Sequence, residues 1–303
     1  MAPPVPNVPL SVQLEVMPGS TLPSLLSGRR LRNQRLARAL RLWVPAGVLI
    51  FILALCFLWP LVYKLPSPTV GNILYNNEPP FSPGHILGTN VQGVDEFSDV
   101  IYGGQTSFVI AASVTVIGIV IGCTLGVVAG YLGGWVDAII SRILDILIAF
   151  PALVLALVIA VGLGPSEIHL IWALSFFGIP ALGRVTRGIT LTLRSQPYMT
   201  AARLAGTPRW RIIVRHILPN IMPTIVTFSL LGVGIIIILE GALDFLGYGI
   251  QQPQPSWGGM IALGQQIMTA QPEYIIIPSI ALLITVVALN MLGDALRERW
   301  GVV

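Results

Sequence analysis

Charged side chains are scarce in this sequence. Asp, Glu, Lys and Arg make up 10% of its 303 residues, where ordinary soluble domains carry about 25%. Hydrophobic residues reach 54%, which excludes a soluble globular domain and implies an integral membrane protein. Cysteine is limited to Cys56 and Cys123, both inside apolar runs, which argues against a disulfide framework. Lysine is nearly absent, with Lys64 alone against a background of arginine. No HExxH, GxSxG or P-loop pattern occurs, which argues against a membrane enzyme and against nucleotide binding by this chain. The formal charge of +4 is no nucleic-acid footprint, because the arginines cluster beside hydrophobic segments as topology determinants do.

What is abundant is long apolar sequence. A hydrocarbon core of about 30 Å needs about 20 mostly apolar helical residues. Six segments meet or approach that length: 42–63, 106–131, 143–163, 168–183, 220–239 and 274–292. The fourth is short and carries His169 and Pro180, and can extend toward Arg187, where arginine snorkels to the interface. The expected fold is therefore an all-α, polytopic membrane helix bundle with six transmembrane helices. If the chain starts inside and crosses six times, Lys64 is its only Lys or Arg on the far side. The positive-inside rule makes the arginine side cytoplasmic, with both termini there.

This topology organises the chain as a cytoplasmic tail (1–41), a first span (42–63), an extracytoplasmic segment (64–105) and a transmembrane core (106–299). Residues 1–28, rich in Pro, Ser and Leu, read as disordered. No secretory signal is evident, and the first span is expected to be retained as an anchor. In the external segment, His85 with Asp95 and Asp99 hints at a metal, but a lone histidine without ligand spacing does not make a site.

One polar stretch stands out, YMTAARLAGTPRWRIIVRHILPN at 198–220, with four arginines, one histidine and no acid. Helix formers run from Tyr198 to Ala205, and Gly206 is free to take the left-handed conformation that ends a helix. Thr207 is expected to N-cap a second helix with Pro208 at its first position, and Pro219 to end it. Two short helices thus form a cytoplasmic elbow within a loop spanning 194–219. Trp210, Ile213, Val214 and Ile217 are offered for burial, and Arg209, Arg211 and Arg215 for polar contacts.

Other candidates lie in the spans. Gly118, Gly122, Gly126, Gly130 and Gly134 form a four-residue stripe that favours close helix packing over lining a pathway. Arg142 and Asp145, three apart, are placed to neutralise each other. Pro151 is expected to kink the third span, as a hinge or as a static bend. Glu240 and Asp244 stand at the outer end of the fifth span, and both are candidate gate or translocation residues. For Glu240 two readings stand: a gate or translocation residue at membrane depth, or an interfacial carboxylate bonded to the following Gly-rich turn. The stretch from there to Glu273 is expected to lie back on the bundle, partly as an interfacial helix anchored by Trp257. The spans hold few ionisable groups and no obvious repeat, unlike secondary transporters. A protruding elbow suits a subunit moved by an external motor.

AARLAG (201–206) followed by WRIIVRHILPN (210–220) resembles the EAA loop of ABC importer permeases. HILGTNVQGVD (85–95), YGGQTS (102–107), GYLGGWVD (130–137), RILDILIAFPALVLAL (142–157), LDFLGYG (243–249) with QPSWG (254–258), and NMLGDALR (290–297) occur in the same order. As a set they are similar to the C-type permease of the oligopeptide, dipeptide and nickel importers, over about 42–299. The resemblance implies a bacterial plasma-membrane subunit importing peptides, or alternatively nickel or another small solute. It implies a heterodimer with a second homologous permease, one or two cytoplasmic ATPase subunits holding ATP and Mg2+, and an extracytoplasmic solute-binding protein. This chain itself would bind no cofactor or metal. The elbow would be the coupling helix, using Thr200, Ala201, Ala202, Arg203, Ala205, Gly206, Thr207, Arg209, Trp210, Arg211, Arg215, His216 and Pro219. Thr200 stands where the family usually has Glu, Asp244 where Ser is common, and RERWGVV replaces the usual acidic, Pro-containing ending.

Overall fold

The computed structural model describes residues 27–269 and 271–301; of the tail expected over 1–41 and the disorder expected over 1–28, residues 1–26 lie outside the described residues. Among the described residues all regular elements are helical, with isolated β-bridges at Ser82–His85 and Thr89–Asp95. The first helix, α1, runs Ser27–Leu53 and continues through a π-helical turn, Ala54–Leu58, to Val62. Helicity therefore begins before residue 42, inside the stretch expected as tail. The π turn is gripped from outside: the Gln105 amide donates to the Cys56 carbonyl at 2.5 Å.

Helix α2 spans Glu96–Leu132. It starts ten residues earlier than the span expected at 106, so the end of segment 64–105 is helical. The reason is local: the Asp95 carboxylate N-caps the helix, accepting from the Ser98 amide at 2.9 Å and its hydroxyl at 2.8 Å. Glu96 and Asp99 in the first turn favour the positive end of the helix dipole.

The third span is not one helix. Helices α3 (Gly134–Ala149) and α4 (Ala152–Leu163) meet at 83°. Phe150, forced extended as the residue before a proline, ends α3, and Pro151 caps α4. Pro151 thus breaks the span where a kink was expected. Among the described residues, five helices are long and apolar enough to cross a membrane, or six if this pair counts as one.

Helix α5, Glu167–Arg194, carries Pro180 inside it and extends past Arg187. Helix α6, Pro197–Leu204, leads to α7, Arg209–Phe245. Pro219 does not end the second elbow helix. A π-helical turn, Ile213–Ile217, precedes it, and the widened turn accommodates the ring and missing N–H of proline, so the helix runs on. Helices α8 (Trp257–Ile267) and α9 (Glu273–Trp300) complete the described chain.

The glycine stripe closes α2 onto α5. A Cβ at Gly122 would lie 2.4 Å from the Ile179 carbonyl oxygen, at Gly126 2.4 Å from that of Gly183, and at Gly130 2.9 Å from that of Arg187. Gly118 is slightly looser, at 3.2 Å from the Gly178 oxygen. Gly134 departs from the stripe; it has φ +58 and faces nothing. Two cores result. One holds Phe108, Ile110, Val114, Leu170, Ile237 and Trp257; the other, at the arginine-rich end, holds Val127, Tyr131, Leu182, Met199, Ile212 and Ile217. Cys56 and Cys123 are buried free thiols. Trp257 is buried in the first core, with its indole N–H on the Val100 carbonyl at 2.9 Å, and is not the interfacial anchor expected.

Candidate functional site

The elbow is built by a turn that only local chemistry requires. Helix α6 ends with the Gly206 amide on the Arg203 carbonyl at 3.0 Å and the Thr207 amide on the Ala202 carbonyl at 3.1 Å. These are the paired bonds of a Schellman motif, and Gly206 has the left-handed φ of +74 that it demands. The next helix starts one residue later than expected: Pro208 is its N-cap and Thr207 makes no side-chain cap. The Arg211 and Ile212 amides donate instead to the Pro208 carbonyl, at 3.0 and 3.1 Å.

Three side chains root the elbow in the bundle. Met199, Ile212 and Ile217 are buried against Leu182, Ile221 and Ile225. Ile217 falls on the inner face as expected, but Trp210 and Val214 do not; they point outward, with Trp210 62% exposed. Leu204, at the tip of α6, is 85% exposed. The inward face is set by Ile212 and Ile217, five apart across the π turn, which turns Trp210 and Val214 away. Arg211 lies over the Trp210 ring at 5.4 Å, and the Tyr198 and His216 rings lie 6.4 Å apart. Thr200, Ala201, Ala205, Arg209 and Arg215 are exposed or nearly so, leaving a basic, apolar-tipped surface without a covering segment among the described residues.

Arg203 does a different job from its neighbours. Its guanidinium donates to the Arg194 carbonyl at 3.2 Å, the Met199 carbonyl at 3.3 Å and the Thr200 hydroxyl at 3.1 Å. It therefore ties the elbow to the end of α5. Thr200, lacking a carboxylate, accepts a neutral-acceptor bond at that position. On the other flank, Asn220 donates to the His216 carbonyl at 2.6 Å, one residue after Pro219.

A clasp that sequence spacing did not reveal sits behind the elbow. Arg187 holds Asp137 through two bonds, at 2.5 and 2.8 Å, and Ser141 adds a third at 3.1 Å. Asp145 is taken by Arg184 at 2.7 Å and not by Arg142. Buried Leu144 sets the face of α3 that meets α5. Asp145 follows by about 100°, whereas Arg142 lies about 200° away, on the other side of the helix. Asp137→Arg is expected to destabilise the chain by about 1 kcal/mol, since the pair is partly solvated. Combining it with Arg187→Asp should restore most of the loss in thermal unfolding of the purified protein. No recovery in the double variant would count against a specific clasp.

At the far end, the two carboxylates of α7 separate in role. Glu240 is fully buried, and its Oε1 accepts from the Ser107 hydroxyl of α2 at 3.2 Å. Its Oε2 has no partner among the described residues. It is Asp244, not Glu240, that bonds the following turn: its carboxylate accepts from the Ile250 amide at 2.5 Å and from the Ser256 hydroxyl. Ser256 in turn N-caps α8, accepting from the Gly259 amide at 3.0 Å. Gly258 lets α8 press on α7, where an added Cβ would lie 2.5 Å from the Gly241 Cα. In the segment 64–105, His85 and Asp95 pair at 2.9 Å while Asp99 takes Asn90 at 2.8 Å.

Residues 122–300, which include the elbow and the buried carboxylates, match the family described as binding-protein-dependent transport system inner membrane component. The glutathione transport system permease protein GsiD of Pectobacterium atrosepticum is 38% identical over 257 residues, 84% of this chain and 85% of that protein. GsiD of Shigella flexneri is 38% identical over 270 residues, 89% of this chain and 87% of that protein. Among solved structures, a chain of the MetNI methionine ABC transporter in inward-facing conformations superposes with a TM-score of 0.54 at 18% identity. That match covers 67% of this chain and 97% of the other, and it concerns the fold.

Proposed function

The chain belongs to the binding-protein-dependent transport system inner membrane components, and from that premise we propose the cargo, the partners and the point where force enters. It is the multi-pass permease subunit of an ABC importer and not an enzyme. Membership implies partner ATPase subunits and a binding protein. The cargo is a short peptide. The support is the similarity to glutathione permeases over more than four fifths of the chain, because glutathione is itself a tripeptide. A second homologous permease completes the membrane unit, and ATP and Mg2+ are held by the ATPase subunits. The arginine-rich end faces the cytoplasm in a bacterial plasma membrane.

The observation that carries the coupling role is the elbow itself. It is rooted by Met199, Ile212 and Ile217, yet presents Leu204, Trp210 and Val214 outward beside Arg209, Arg211 and Arg215. Apolar side chains ringed by cations suit a partly acidic protein cleft, where burial and charge pairing act together. Closure of an ATPase pair on nucleotide would push α6, and Arg203 would pass that motion to α5.

The test is reconstitution in proteoliposomes with the second permease, the ATPases and the binding protein. Short-peptide uptake is expected only when all are present with ATP. Uptake by this chain alone, driven by an ion gradient, would overturn the assignment of force to the elbow. In the same system Glu240→Gln is expected to lower uptake while the complex assembles normally, because the buried carboxylate faces α2 through Ser107. An unchanged uptake rate would remove Glu240 from the translocation machinery.

A further inference from the structure

At the end opposite the arginines a cleft of about 370 Å³ opens between residues 90–92, the 246–256 loop and helix α8. That volume lies within the roughly 300–1,000 Å³ typical of small-molecule sites. The carboxamides of Gln92, Gln251, Gln254, Gln265 and Gln266 rim the cleft, Asp99 and Asp244 form part of its wall, and no Lys, Arg or His lines it.

The two carboxylates differ in what they leave unsatisfied. Both oxygens of Asp244 are occupied, by the Ile250 amide and the Ser256 hydroxyl, so Asp244 holds the loop in place. Asp99 is 94% buried by its 6% exposure. Its Oδ2 accepts from Asn90, but its Oδ1 has no partner among the described residues. One helical turn earlier Glu96 is fully buried, and neither of its oxygens has a partner among the described residues. A buried carboxylate oxygen without a donor is costly, and an ammonium group, with three donors and a positive charge, relieves it. Side-chain amides both donate and accept, which matches the alternating N–H and C=O of a peptide backbone.

We infer that this cleft is an outer docking site for the ammonium-bearing end of a short peptide, with Asp99 taking the ammonium and the glutamine rim the backbone. This inference rests on the peptide-import reading and deepens it by placing a cargo subsite in the permease itself. The loop 246–256 forms one wall, braced by Asp244 and by the bond from Gln92 to Gln252. A loop of the binding protein is the competing occupant. The buried carboxylate favours the cargo, because it lies behind the rim and suits a single small cation.

The experiment uses the complete transporter in proteoliposomes, with a photoreactive benzophenone side chain placed at Gln254. Radiolabelled trialanine is delivered by the binding protein, and adducts are read after illumination. Labelling is expected on this chain, reduced by excess unlabelled trialanine and not by N-acetyl-trialanine added at saturating concentration. Asp99→Asn, which keeps shape and the capacity to bond Asn90, should cut labelling by about tenfold, the loss expected for a charge-assisted bond. If that variant does not fold, the exposed pair Gln265→Leu with Gln266→Leu should raise the KM for trialanine uptake severalfold, and an unchanged KM would overturn the inference. Uptake of trialanine with no adduct above that at a lipid-facing control position would overturn the inference alone. An adduct joining this chain to the binding protein, or equal competition by the acetylated peptide, would overturn it too. Absence of any peptide uptake and any adduct would overturn the peptide reading and this inference with it.

Discussion

Gly206→Val is expected to abolish most ATP-driven uptake while leaving the chain inserted and present at normal level. The left-handed φ of +74 costs a residue with a Cβ about 1–2 kcal/mol, and a β-branched side chain more. An added Cβ meets nothing within 4 Å, so the effect comes from the backbone and not from a clash. The Schellman bonds from Gly206 and Thr207 would be lost or distorted, and α6 would re-aim relative to α7. About 1.4 kcal/mol of bias against the productive geometry already means a tenfold loss of competent elbows. Gly206→Asn supplies the control, because asparagine tolerates this conformation; it should retain most uptake. Uptake by the valine variant equal to that of the unmodified chain would remove the turn from the coupling machinery. Equal losses in both variants would mean that surface contact at Gly206, and not its backbone, matters.

Gly126→Leu is expected to have the larger effect on stability. Its Cβ would sit 2.4 Å from the Gly183 carbonyl oxygen, 2.8 Å from the Thr186 Cβ and 2.9 Å from the Arg187 amide nitrogen. Two of these three atoms are backbone, so no rotamer change relieves the contact, and α2 must move away from α5. That separation would also pull Arg187 from Asp137 and loosen the core under the elbow. Overpacking of this kind costs about 1–3 kcal/mol, and a backbone clash belongs at the upper end. The expected readouts are poor recovery of folded protein and a lowered thermal midpoint in detergent. Gly188→Ala, on the same α5, is the control: nothing lies within 4 Å of its added Cβ. Alanine should be neutral or stabilising there, since glycine inside a helix costs about 0.5–1 kcal/mol. A Gly126 variant as stable as the unmodified protein would mean that the glycine stripe does not set the approach of these helices.

The parts legible in sequence share a short physical range. Gly206 announced its turn because the conformation that ends a helix is a property of one residue and its immediate neighbours. The start of α2 was missed, because apolar length put the span at 106 whereas the Asp95 cap bond to Ser98 starts the helix at Glu96. Pro151 marked a discontinuity, but its magnitude depended on how α3 and α4 each found α5. A proline removes one bond and restricts one neighbour; it does not choose between a modest bend and an 83° break. Spacing on one helix misled where a better partner lay on another. Asp145 met Arg184 at a separation of 39 residues, and Asp137 met Arg187 at 50. Trp257 read as an interfacial anchor because tryptophan often is one, yet Gly103 and Gly104 leave room for α8 to bury it against α2.

The sequence by itself determined the membrane class, the helical architecture, the segregation of arginine to one end and the elbow turn. Each follows from solvent transfer of apolar runs or from backbone sterics, which act residue by residue. Only the tertiary structure decided which face of the elbow is rooted and which is presented, and which oxygens of Asp99, Glu240 and Asp244 are satisfied. Those outcomes depend on groups brought together across helices, and their energies arise from burial and partners that no local window contains.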